Sequence, residues 1–125
     1  MPDYADMLCQ FERGALDPAG FRHADHVGVA YEALRRHGFF EALRIYADGL
    51  MALVEKAGVP EKFNATVTFA YMSVIAERMH RQPAANAAEF LAANPELLSG
   101  VLLERYSRAR LQDDLAKKVA LLPDL

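Results

Sequence analysis

Apolar residues recur at three- and four-residue steps along most of the chain, the spacing of helices that bury one face. Tyr4, Met7, Leu8 and Phe11 follow that step behind the acidic Asp3 and Asp6, which suit the positive end of a helix, and predict a first helix reaching about Gly14. Asp17-Pro18-Ala19-Gly20 then reads as a turn. From His23 onward, His23, His26, Val27, Ala30, Ala33, Leu34 and His37 fall within about 120° of arc, with Asp25, Gly28, Glu32, Arg35 and Arg36 opposite. The pattern predicts a second helix ending near His37-Gly38, with both early histidines on its inward stripe. Phe39, Leu43, Tyr46, Leu50, Leu53, Val54 and Ala57 give a third helix that stops at Gly58.

The fourth segment differs. Proline and glutamate at 60 and 61 suit a first turn, and the apolar positions from Phe63 to Met79 point all round the axis. A helix over about 60–80 that is apolar nearly all round belongs in the middle of a bundle. Beyond Gln82-Pro83, Asn86 caps a short helix carrying Phe90 and Leu91, with Glu89 at the capping-box position. Asn94-Pro95-Glu96 opens a segment with Leu97, Leu98, Val101, Leu102 and Tyr106, interrupted at Ser99-Gly100. Leu111, Leu115 and Val119 complete a last helix. The expected fold is all-α: one compact domain over residues 1–125, a bundle of about five to seven helices with the 60–80 helix central.

Composition narrows the function. The chain of 125 residues is 53% apolar, enough for one core, and 25% charged without low-complexity tracts. A net charge of -3 and a pI near 5.8 leave no basic face for a phosphate backbone, so nucleic acid is not an expected partner. No apolar run approaches the roughly 20 residues that span a bilayer, and 1–6 lack a signal-peptide pattern, so a cytoplasmic location off the membrane is expected. The lone Cys9 fits a reducing compartment and reads as a small buried apolar residue.

The candidate chemistry sits in Phe21-Arg22-His23-Ala24-Asp25-His26. Histidines three apart on a helix hold their Cβ atoms about 5 to 6 Å apart, so His23 and His26 can aim at one point. That permits a shared divalent transition metal or a catalytic pair in which a histidine is the general base. The helix N-terminus and burial both favour the neutral ring. Asn64, Thr68 and Tyr71, at i, i+4 and i+7 of the fourth helix, offer a matching polar patch, and Tyr31 and Tyr46 could bring phenols to its edge. His37 and His80 read as exposed helix ends, and Glu77 as a weak third ligand. No GxGxxG, P-loop, CxxC pair, HExxH or GxSxG is present.

Five stretches together resemble a family of small, largely uncharacterised bacterial helical proteins with FxHxxH and YHET(I/V)T elements. Here they are Phe21 to His26, Phe63-Asn64-Ala65-Thr66-Val67-Thr68, Glu77-Arg78-Met79, Ala93-Asn94-Pro95-Glu96-Leu97-Leu98 and Leu122-Pro123-Asp124. The resemblance implies a shared helical fold and carries no particular reaction. Where the family has histidine and glutamate, this chain has Asn64 and Ala65. A third histidine would complete a metal or acid/base site, and asparagine is a poor ligand for transition metals. The expected function is therefore small-molecule handling in a pocket shared by the second and fourth helices, as a binding module or a small enzyme. The alternatives are a metalloprotein through His23 and His26, and a non-catalytic interaction protein, such as a homodimer.

Overall fold

Helix starts in the computed structural model, which describes residues 2–125 apart from the side chains of Val101 and Leu102, are largely set by residues that cap well. Asp3 accepts the Asp6 N–H ahead of α1 (Tyr4–Glu12), Asn64 that of Val67 ahead of α4 (Ala65–Arg81), and Asn86 that of Glu89 ahead of α5 (Ala87–Ala93). For α2 (His23–Arg36) the Asp25 carboxylate reaches back to the Arg22 N–H at 2.9 Å. α3 (Phe39–Lys56) follows after a single Gly38 cap. Two short helices, α6 (Arg108–Gln112) and α7 (Asp114–Lys118), lie near the end of the chain. The result is an all-α bundle with no strand among the described residues, and no helix among them is long and apolar enough to cross a membrane.

Three predicted segments are more broken than their periodicity suggests. Pro60–Lys62 forms a separate 3₁₀ turn, and α4 begins only at Ala65 because Asn64 adopts extended backbone and caps it. The segment after Asn94 becomes two 3₁₀ turns, Pro95–Leu98 and Val101–Arg105. Asp113 closes α6 and caps α7, dividing the last helix in two.

The enclosed position expected of the fourth helix is shared with α2, and is more complete there. α4 packs on α2, α3 and α7, whereas α2 is covered by α1, α3, α4 and α5. Consequently Asp25, Gly28 and Glu32, which the wheel places outward, are buried together with Val27, Val29, Ala30, Tyr31 and Ala33. The two carboxylates tolerate burial because each has close donors: Asp25 accepts from Tyr4 Oη and the Arg22 N–H, and Glu32 from Arg35 and Arg36. Gly28 lets the Tyr4 ring lie directly on the α2 backbone. The inward stripe also needs correction at its start, where His23 is exposed and His26 half-buried while Asp25 between them is buried. Cys9 is exposed rather than buried: on the short α1 the inward places go to Tyr4, Leu8 and Phe11.

The chain's last residues fasten onto the start of α4. Thr66, fully buried, shares its hydroxyl proton between the carbonyls of Ala116 and Val119, each at 2.9 Å, and accepts the Leu121 N–H at 3.0 Å. Asn64 Nδ2 donates to the Leu111 carbonyl, and Asp124 accepts from both the N–H and the hydroxyl of Ser107. Thr66→Val keeps the shape and strands these partners, so a loss of about 2 kcal/mol is expected in urea unfolding, since a buried polar group left unpaired costs roughly 1–3 kcal/mol. An unchanged midpoint would show that the hydroxyl is not the clasp.

Candidate functional site

A cleft of about 260 Å³ opens where α2, α3 and α4 meet, and the Pro60–Lys62 turn borders it. Leu50 and Val54 of α3, Val27 of α2, and Val67 and Ile75 of α4 give it an apolar body. Its polar border contains His23, His26, Tyr46, Lys62, Asn64, Thr68 and Tyr71.

The helix geometry explains this gathering. His23 and His26 lie one turn apart at the beginning of α2, with ring centroids 6.2 Å from each other. Tyr71, two turns into α4, meets His23 edge-on at 6.0 Å. On its other side His26 packs against Phe21 at 4.4 Å, and Phe21 stacks on Phe11, which leans on Tyr46. Tyr46 is buried on α3, and its hydroxyl lies 3.3 Å from His26 Nδ1. An aromatic chain thus walls the cleft from α1.

Burial sets the protonation of this group. It is the main force pushing the His26 pKa down to about 4, with the His23 charge assisting and Asp25 opposing. Burial also raises the Tyr46 and Tyr71 phenols above their ordinary value. At neutral pH, His26 is therefore an uncharged imidazole beside two intact phenols. A base this weak is poorly matched to proton abstraction near pH 7, and well suited to giving or taking a hydrogen bond.

Of the predicted site residues, His23, His26, Asn64, Thr68 and Tyr71 all border the cleft. Two of them are already engaged. Asn64 is not a mid-helix pocket residue; its Oδ1 caps α4 and its Nδ2 holds the Leu111 carbonyl. The Thr68 hydroxyl donates to the Asn64 carbonyl at 2.8 Å, leaving only lone pairs. Tyr31 lies elsewhere: about 140° round the helix from His26, it packs at a tilt against Phe90 and donates to the Ala84 carbonyl. Glu77 pairs with Arg81 on the exposed face of α4, and His37 and His80 are exposed. No group of three histidines, cysteines or carboxylates able to hold a metal occurs among the described residues. With Asn64 bound into the helix start, nothing beside His23 and His26 stands in for a third ligand.

Lys62 is a border residue that the periodicity hides. A continuous helix from Pro60 carries it past as an ordinary exposed lysine, whereas the separate turn brings it to the cleft. Asn64, a favoured N-cap ahead of an apolar run, is the sequence signal for that break. No protein-family model matches the chain, and neither a curated protein nor a solved structure is significantly similar to it.

Proposed function

We propose that this chain is a small-molecule-binding helical protein whose site is the cleft between α2, α3 and α4. The observation that carries the reading is the cleft itself: an apolar body with few uncommitted polar atoms on its border, those of His23, Lys62 and Tyr71 and the Nε2 of His26. Ligand sites in helical bundles take this form, and about 260 Å³ lies below the usual range for drug-sized ligands, so the ligand is small. Binding is favoured over general-base catalysis because His26, the better buried of the pair, titrates near 4 and accepts protons weakly at neutral pH.

Hexanol, a neutral molecule with a short apolar body, tests this reading directly. Added to isotopically labelled protein, it is expected to shift the methyl resonances of Val54, Val67 and Ile75 along a saturable curve, and to leave Val29, buried on another side of α2, in place. Methyl shifts that never saturate, or that appear equally at Val29, would count against a site here.

A further inference from the structure

The charges around the cleft are one-sided. The chain holds 17 acidic against 14 basic residues, yet Lys62 borders the cleft and no aspartate or glutamate does. Glu55 and Glu61 lie on a neighbouring groove with Pro60 and Met51, beyond Phe63. Lys62 has no ion-pair partner among the described residues.

The hydrogen bonding has the same sense. The buried Tyr46 hydroxyl finds its partner in His26 Nδ1, and a phenol donates more readily than it accepts. The Tyr46 hydroxyl has no other acceptor among the described residues, so the tautomer that satisfies both groups has the phenol donating a hydrogen bond to Nδ1 of neutral His26 and the ring hydrogen on Nε2. No buried side-chain nitrogen or oxygen among the described residues lacks a partner, and Nε2 has none, so Nε2 is accessible. The ring therefore offers the cleft an N–H donor, and Lys62 adds a cation.

We infer that the cleft takes a small monocarboxylic acid as its anion, the apolar body lying between Val54, Val67 and Ile75 and the carboxylate drawn to the His26 Nε2–H and Lys62. This rests on reading the cleft as a binding site, and adds the sign of the ligand's charge. An acceptor-only head with two oxygens can take both the Lys62 ammonium and the His26 N–H, whereas an ammonium would meet that cation and that donor head on. The volume admits about nine water-sized groups, which suits a short aliphatic or single-ring acid rather than a long acyl chain.

Calorimetric titration of the full chain with hexanoate, hexanol and hexylammonium at neutral pH and low salt separates charge from shape, since the three share one apolar body. Hexanoate is expected to bind at least tenfold more tightly than hexanol, and hexylammonium more weakly than either. Lys62→Met, an exposed change that leaves the fold intact, is expected to weaken hexanoate at least threefold and leave hexanol unchanged. His26→Phe, in protein that still melts cooperatively, is expected to weaken hexanoate at least threefold more than it weakens hexanol. Hexanol binding as tightly as hexanoate overturns the carboxylate while the cleft remains a binding site. Hexanoate affinity indifferent to both substitutions also overturns it, placing the acid elsewhere. Failure of hexanol and hexanoate alike removes the binding reading together with the inference.

Discussion

Gly49→Ala is expected to destabilise the fold by about 2 kcal/mol, a fall in Tm of about 8 °C for a chain of this length. In an exposed helix the same change would gain about 1 kcal/mol, because glycine is the poorer helix former. Here a Cβ on Gly49 would stand 2.1 Å from Phe11 Cε2 and 2.4 Å from Cζ, far inside contact distance. The ring has nowhere to retreat: Phe11 is 2% exposed, stacked on Phe21 at 5.7 Å and against Tyr46 at 5.8 Å. Inserting a methyl into such packing costs roughly 1–3 kcal/mol and more when the neighbours are fixed, which outweighs the propensity gain. Gly28→Ala meets the Tyr4 ring at 2.5 Å and should act in the same direction. Trimming the obstacle supplies the control. In a double-mutant cycle, Phe11→Leu should relieve part of the Gly49→Ala penalty, and strict additivity would mean that the ring is not its cause.

His26 is expected to make the protein acid-sensitive in a window that a single substitution removes. Its folded pKa, about 4, lies below the ordinary 6.5, so the unfolded chain binds the proton more readily. Above about pH 6.5 both states are neutral at this ring and it contributes nothing. As the pH falls from 6.5 to 4 the unfolded state is protonated first, and stability drops; below 4 the penalty is complete. At about 1.4 kcal/mol per pH unit the ceiling is about 3 kcal/mol, and solvent reaching the half-buried ring reduces it to about 2 kcal/mol. Asp124 and Glu41, whose pKa values are lowered chiefly by hydrogen bonds from Ser107 and Arg44, also lose stability as acid protonates them, but they do so in both proteins. The wild-type minus His26→Gln difference in urea midpoint therefore isolates the histidine. It should be small at pH 7.5, where glutamine can still meet Tyr46, and should shift in favour of the variant by pH 4.5. A flat difference across that range would place the ring in open water.

Much of this architecture is legible in the spacing of apolar residues. The second and third helices end within a residue or two of their predicted limits: Gly58 takes the left-handed backbone just beyond α3, whereas α2 ends on an extended His37 and Gly38 instead caps the start of α3. The Asn86 cap is likewise readable from its own position. What periodicity misreads depends on partners distant in the chain. Asp25 and Glu32 look like solvent-facing charges until Tyr4, Arg22, Arg35 and Arg36 are seen to satisfy them, and Gly28 looks idle until Tyr4 covers it. The meeting of His23 and His26 with Thr68 and Tyr71 follows from helix faces, so it was readable. The commitment of Asn64 to Leu111, and Tyr31 to Ala84, depends on chain 47 and 53 residues away and leaves no periodic trace. Lys62 is hidden for a related reason, since one capping residue converts a helical turn into a separate loop.

The ring chain beside the cleft gives the molecule an optical property of its own. The sequence contains no tryptophan and five tyrosines, so ultraviolet emission is dominated by the phenols over the weak phenylalanine rings. Two of the five, Tyr46 and Tyr71, border the cleft, and Tyr46 is hydrogen-bonded to the group that titrates within it. A molecule entering the cleft, or a proton added to His26, would therefore be expected to change the native emission of the unlabelled protein, with no dye and no engineered probe.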